Sequence, residues 1–175
     1  VTGLAAAGHD VVATREPTDG PYGQKIRAMA RSGERVAPEE ELRWFMEDRA
    51  EHVAQLIQPA LDDGRVVVTD RYFLSTVAYQ GARGLDWEAI LAECEARFPL
   101  PDVALIFEVE AAVGLARVQA RGGPLDPAFE RLDFLEDVAR IFATLDRPYL
   151  ARIDGAQPPD DVTRAARRAL GLSAD

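Results

Sequence analysis

Gly64-Arg65-Val66-Val67-Val68-Thr69-Asp70-Arg71-Tyr72 decides the fold. A glycine stop is followed by a short β-branched run and then by polar residues. Such a continuous apolar run is the pattern of a strand buried on both faces, in the middle of a parallel sheet. Upstream, Pro38 fits the first position of a long helix, and Glu39, Glu40 and Glu41 favour its positive end. That helix is expected to run to about Leu61. Further upstream, His9-Asp10-Val11-Val12-Ala13-Thr14 reads as another buried strand, after a helix end closed by Gly8. A short helix is expected over Gly23 to Ala30. Downstream, helices are expected near 71–82, 86–97, 111–121 and 130–146, with a last helix from Pro159 to Leu170. Strands are expected over Asp102 to Val109 and over Tyr149 to Ile153. Alternating strands and helices imply a three-layer α/β/α domain with a mostly parallel sheet.

The composition sets outer bounds. The chain has 175 residues, which is one domain's worth, and we read 1–175 as a single domain. No linker, internal repeat or low-complexity stretch divides it. No apolar run approaches the ~18 residues of a membrane span. Cys94 is the only cysteine, so no disulfide can form within the chain, and a reduced, cytoplasmic setting is expected. The net charge is −10, with a pI near 4.7. Such a chain has no general affinity for nucleic acid or an anionic membrane. Any bound anion needs a local arginine patch, and all the basic residues but Lys25 are Arg.

Open α/β sheets bind ligands at the carboxyl ends of their strands. Three polar clusters fall there: Arg15-Glu16-Pro17, Asp70-Arg71-Tyr72 and Glu108-Val109-Glu110. Asp70 reads either as an ordinary helix N-cap or as the acidic residue that holds magnesium in P-loop enzymes. Arg71 beside it favours the second reading. The long helix carries an apolar stripe of Leu42, Phe45, Met46, Val53, Leu56, Ile57 and Ala60, and Arg49 lies on that stripe. A buried Arg is costly unless it is paired or faces a polar cleft. Arg49 reads either as a snorkelling cation or one paired with an acidic neighbour, or as part of a pocket in which Phe45 stacks on a flat ring and Arg49 bonds its edge. Ser75-Thr76-Val77-Ala78-Tyr79-Gln80-Gly81 brings hydroxyls and an amide to the same strand end. Arg117 and Arg121 share a helix face that leads into Gly122-Gly123-Pro124, the one stretch resembling a mobile loop, and read either as a solvated face or as a pair that closes over phosphate. His9 and His52 lack metal-ligand spacing and read as structural. Trp44 and Trp87 read as packing residues.

Together these residues resemble the thymidylate kinase (dTMP kinase) family of P-loop nucleoside-monophosphate kinases. The resemblance rests on the order and spacing of Thr14-Arg15-Glu16-Pro17, Phe45-Met46-Glu47-Asp48-Arg49, Asp70-Arg71-Tyr72 and Ala78-Tyr79-Gln80-Gly81. It implies ATP-dependent phosphorylation of dTMP to dTDP, a step of pyrimidine deoxynucleotide biosynthesis. It also implies magnesium, a cytoplasmic location and a homodimer. By resemblance, Phe45 would stack on thymine, Arg49 would bond the base, Thr76 would face its edge and Gln80 would support it. Tyr79 would crowd the 2′ position of the sugar. Glu16 and Pro17 would line the monophosphate site, Arg71 would hold the acceptor phosphate, and Asp70 would act near the magnesium. A lid of about 117–130 would bring Arg117 and Arg121 to the ATP phosphates.

Two departures from the family pattern stand out. The lid run Asp126-Pro127-Ala128-Phe129-Glu130 lacks the Arg that usually follows its Asp, which leaves the lid's role to Arg117 or Arg121. The Gly-rich P-loop with its Gly-Lys-Ser/Thr ending is also missing, as is the strand before it. By resemblance that strand would be central, between the strands ending at Asp70 and Glu108. Each buried unpaired backbone group costs about 1–3 kcal/mol, against a total stability of roughly 5–15 kcal/mol. We therefore expect the natural protein to begin upstream of Val1, and residues 1–175 alone to be inactive for lack of the P-loop. Two rival functions are a deoxynucleoside kinase and a non-catalytic module that binds thymidine nucleotides.

Overall fold

The structure, a computed structural model, describes residues 1–122 and 131–172. In chain order the elements are α1 (Thr2–Ala6), β1 (Val11–Arg15), α2 (Pro21–Ser32), α3 (Pro38–His52), a π-helical turn (Val53–Ile57), α4 (Gln58–Asp62), β2 (Val66–Asp70), α5 (Phe73–Ala82), α6 (Trp87–Arg97), β3 (Ala104–Glu108), α7 (Ala111–Arg121), α8 (Leu132–Thr144), β4 (Leu150–Asp154) and α9 (Pro159–Ala169). Every expected strand and helix is present, with ends shifted by a few residues.

The long helix departs from expectation in one respect. It continues past His52, but through a π turn that hands over to α4. Pro59 gives the physical reason. A proline ring clashes with the carbonyl four residues back and offers no N–H to it, and a widened turn relieves both problems.

The sheet also differs from a single layer. β1 pairs with β2 in parallel, from Val11↔Val66 to Arg15↔Asp70. β3 pairs with β4 in parallel, from Ala104↔Leu150 to Glu108↔Asp154. Among the described residues the two pairs share no ladder. The break lies between the strands that end at Asp70 and Glu108, where the resemblance places the family's first strand.

α5 is the centre of the packing. Its Phe73 and Val77 are fully buried and join Met46 of α3, Leu91 and Cys94 of α6, and Leu145 after α8. Burial pushes the Cys94 thiol up to about 11, so it stays protonated and inert. No described helix is long and apolar enough to cross a membrane. The packing of α3 against α5 beside the ends of β1 and β2 assembles the site.

Candidate functional site

α3 buries a polar face. Glu41, Asp48, Arg49 and His52 are all buried, and their spacing of seven, one and three residues keeps them on one side of the helix. Buried charge must be paired, and each of these residues has a partner from another element.

Arg49 is 1% exposed. Its Nη2 donates to Oε2 of Glu16 at 2.6 Å and to Oγ1 of Thr76 at 2.9 Å. Its guanidinium lies 5.2 Å from the Tyr72 ring and 5.5 Å from the Phe98 ring. Its Nε has no partner. Glu16, at the turn after β1, is therefore the counter-ion of Arg49. Its other oxygen, Oε1, lies 3.1 Å from Nδ1 of His52, whose Nε2 lies 2.7 Å from Oγ1 of Thr14. The peptide between Glu16 and Pro17 is cis.

Asp48 fixes the following turn. It accepts from the Thr18 amide at 2.8 Å and from the Thr18 hydroxyl at 2.6 Å. Gly23 of α2 lies so close to this turn that a Cβ there would stand 1.9 Å from the Thr18 carbonyl oxygen. Arg27 donates to the Pro17 carbonyl at 2.9 Å. The loop from Glu16 to Gly20 is thus held from α2 and α3 together.

Glu41 anchors the other end of α3. Its Oε1 accepts from Nε2 of Gln80 at 3.0 Å, and its Oε2 accepts from Nη1 of Arg83. Thr76 and Gln80 lie one turn apart on α5, so Arg49 and Glu41 grip the same helix at successive turns.

Asp70 and Arg71 end β2. The N-cap of α5 is Tyr72, with no side-chain cap bond, so the ordinary N-cap reading of Asp70 does not hold. Asp70 is exposed and lines a cavity of about 860 Å³ with Thr14, Thr18, His52 and Leu56. Phe45 and Arg49 do not line that cavity. Phe45 is half-buried on α3, and Arg49 reaches the β2 end through its stacking on Tyr72. Arg71 has φ 66°, a left-handed conformation held in part by the Thr69 hydroxyl, which donates to the Arg71 carbonyl at 2.7 Å. Its exposed guanidinium sits 5.2 Å from the Tyr79 ring. A non-glycine residue held left-handed at a strand end is a mark of functional positioning. Burial pushes the Tyr72 phenol well above its usual range, so it remains neutral.

Arg117 of α7 donates to the Gly155 carbonyl at 2.8 Å, which ties it to the end of β4. The Arg121 side chain and the expected lid residues 123–130 lie outside the described residues. Of the expected substrate residues, Glu16, Arg49 and Thr76 are joined directly, while Arg71 and Tyr79 form a neighbouring pair. Sequence reasoning missed Glu41, Asp48 and Arg83 and read His52 as merely structural. The available signal was the repeat of polar residues on the same face as Arg49.

A family model for thymidylate kinase matches residues 1–166. Thymidylate kinase of Desulfotalea psychrophila is 44% identical over 161 residues, covering 92% of this chain and 79% of that protein. Thymidylate kinase of Xanthomonas euvesicatoria pv. vesicatoria is 46% identical over 165 residues, covering 94% of this chain and 72% of that protein. That of Xanthomonas oryzae pv. oryzae is also 46% identical over 165 residues, with 94% and 71% covered. With a family model spanning nearly the whole chain, and with relatives this similar over most of both lengths, the chain belongs to the thymidylate kinase family.

Proposed function

We propose that the protein catalyses ATP + dTMP → ADP + dTDP. Family membership over residues 1–166 is the observation that carries this reading. Nothing in the site or in the comparisons favours a deoxynucleoside kinase or a non-catalytic binding module.

The acceptor phosphate has its second pKa near ~6, so it is largely dianionic at pH 7 and already a nucleophile. No general base is required. The protein's task is to align two anions and to stabilise the charge that passes between them. Arg71 holds the acceptor phosphate. Its exposed guanidinium lies 5.2 Å from the Tyr79 ring, within cation–π range, and its planar fork of N–H donors suits a phosphate. Tyr79 crowds the 2′ position of the sugar and so favours deoxyribose. Phe45 stacks on thymine, Arg49 bonds the base, and Thr76 and Gln80 face its edge. Glu16 supports this work from behind. A carboxylate facing a phosphate would repel it, and here the carboxylate is turned to Arg49 and His52 instead. Pro17 and the backbone of the turn line the phosphate side.

Magnesium fits the site as a substrate-borne ion. No described group of three or more His, Cys, Asp or Glu side chains could cage a metal. Magnesium in kinases is commonly held by one or two carboxylates together with substrate phosphates and water. Asp70, exposed at the end of β2, supplies one such carboxylate. The ion, when bound, neutralises phosphate charge. Arg117, which donates to the Gly155 carbonyl, and Arg121 are the arginines assigned to the ATP phosphates. The protein acts in the cytoplasm as a homodimer, within a single domain.

The test is dTMP-dependent release of ADP by the purified protein, with thymidine as the parallel substrate. Turnover of dTMP without turnover of thymidine is expected. Preference for thymidine, or dTMP binding with no consumption of ATP, would refute the reading.

A further inference from the structure

Glu41 and Gln80 are both completely buried, on facing helices. An ionised carboxylate can only accept hydrogen bonds, and a glutamine amide has one donor end and one acceptor end. Glu41 therefore fixes which end of Gln80 faces it, and that is the NH2, at 3.0 Å. Arg83 holds the carboxylate in place by donating to its other oxygen, while Nη2 of Arg83 donates to the Val36 carbonyl at 3.1 Å. The Gln80 carbonyl oxygen is left over. It is shut off from solvent and has no partner. Such an orphan acceptor is costly unless a bound group meets it.

One turn earlier on α5, Thr76 binds Arg49, whose Nε is an orphan donor. An unmatched donor and an unmatched acceptor thus arise from the two couplings between α3 and α5. A group that satisfied both would have to offer an acceptor and an N–H. The O4 and N3–H of thymine or uracil offer both. Cytosine presents the reverse order, an amino donor beside an unprotonated N3.

We propose that Glu41 is a positioning residue that holds the Gln80 carbonyl toward the substrate base, and so selects imide pyrimidines over cytosine. The inference rests on the reading of Gln80 as a base-edge residue in the proposed function. It adds that selectivity originates in a carboxylate that never touches the substrate.

Glu41→Gln provides the test. Arg83 still demands an acceptor, so the new carbonyl takes the place of Oε2, and the new NH2 takes the place of Oε1 and faces Gln80. The Gln80 amide then turns over and offers NH2 to the base. The ratio of kcat/KM for dTMP to that for dCMP should fall at least about tenfold, mainly through a higher KM for dTMP. A ratio unchanged within about twofold in a variant shown to be folded by its melting curve would overturn the proposal.

The wild-type protein offers a second measurement that needs no folded variant. The side-chain NH2 protons of Gln80 should be protected from solvent exchange both before and after dTMP is added, because that NH2 stays on Glu41. Loss of that protection on binding would equally overturn the proposal. A wild-type protein that phosphorylates neither nucleotide would count against the proposed function instead, and the Gln80 resonances would still report on the amide.

Discussion

The half of the molecule built on β1, β2, α3 and α5 encloses two of its Arg–Glu pairs, whereas in the half built on β3, β4, α8 and α9 every described ion pair is partly exposed. In the first half, Arg49–Glu16 and Arg83–Glu41 are ion pairs with at least one fully enclosed partner. In the second half, the described pairs Arg152–Glu108, Arg140–Asp137 and Arg164–Asp161 are all partly exposed. Exposed pairs contribute about 0–1 kcal/mol each and need no functional explanation. Enclosed pairs carry a desolvation penalty that a well-packed apolar pair would avoid. Their concentration on one face of α3, beside the ends of β1 and β2, coincides with the candidate site.

The contrast can be broken most severely at Arg49. Arg49→Met leaves the Glu16 carboxylate enclosed without its cation, and should cost about 3–5 kcal/mol of stability in denaturant unfolding. Arg140→Met, in the other half, should change stability by less than about 1 kcal/mol. Arg71→Ala separates function from stability within the first half. Its exposed guanidinium contributes little to folding, so melting should barely change, while turnover should fall about 10²–10³-fold in a steady-state assay. Gly23→Ala drives a Cβ into the Thr18 carbonyl and should cost about 1–3 kcal/mol, with a higher KM for dTMP as the turn shifts. The smallest effect is one of pH. A hydrogen bond from Arg147 holds the Glu95 carboxyl below its usual 4.5, so its share of stability is complete above about pH 4.5 and is lost as pH falls through the lowered value. Glu95→Gln should make the fall in Tm below that pH shallower than in the wild type.

Much of this arrangement was legible in the sequence. The Val66–Thr69 run placed β2, and the polar residues after it pointed to that strand's end as the candidate site. Arg49 stood out because a cation on an apolar stripe demands a reason. The other buried polar residues of α3 were harder to see. Glu41 and Asp48 look like ordinary solvated charges when read one at a time, since burial depends on what packs against a helix and not on the residue itself. Only their common face with Arg49 carried a signal. The π turn was signalled by Pro59, but a proline alone does not specify whether a helix kinks, ends or widens. The break between β2 and β3 was expected from the resemblance, which places a strand there, and not from the strands' own patterns, because ladder partners are set by long-range pairing. Arg71's left-handed backbone had no sequence sign, as that conformation ordinarily calls for Gly or Asn.

The central claim is that the enclosed Arg49 is kept for the substrate base and not for stability. Calorimetric titration of dTMP into the wild type and into the double variant Glu16→Gln/Arg49→Met tests it most directly. Removing both charges together should leave the fold close to wild-type stability, because no unpaired ion remains. The account predicts that the folded double variant binds dTMP at least about 100-fold more weakly than the wild type. Binding of equal strength in the two proteins would contradict it.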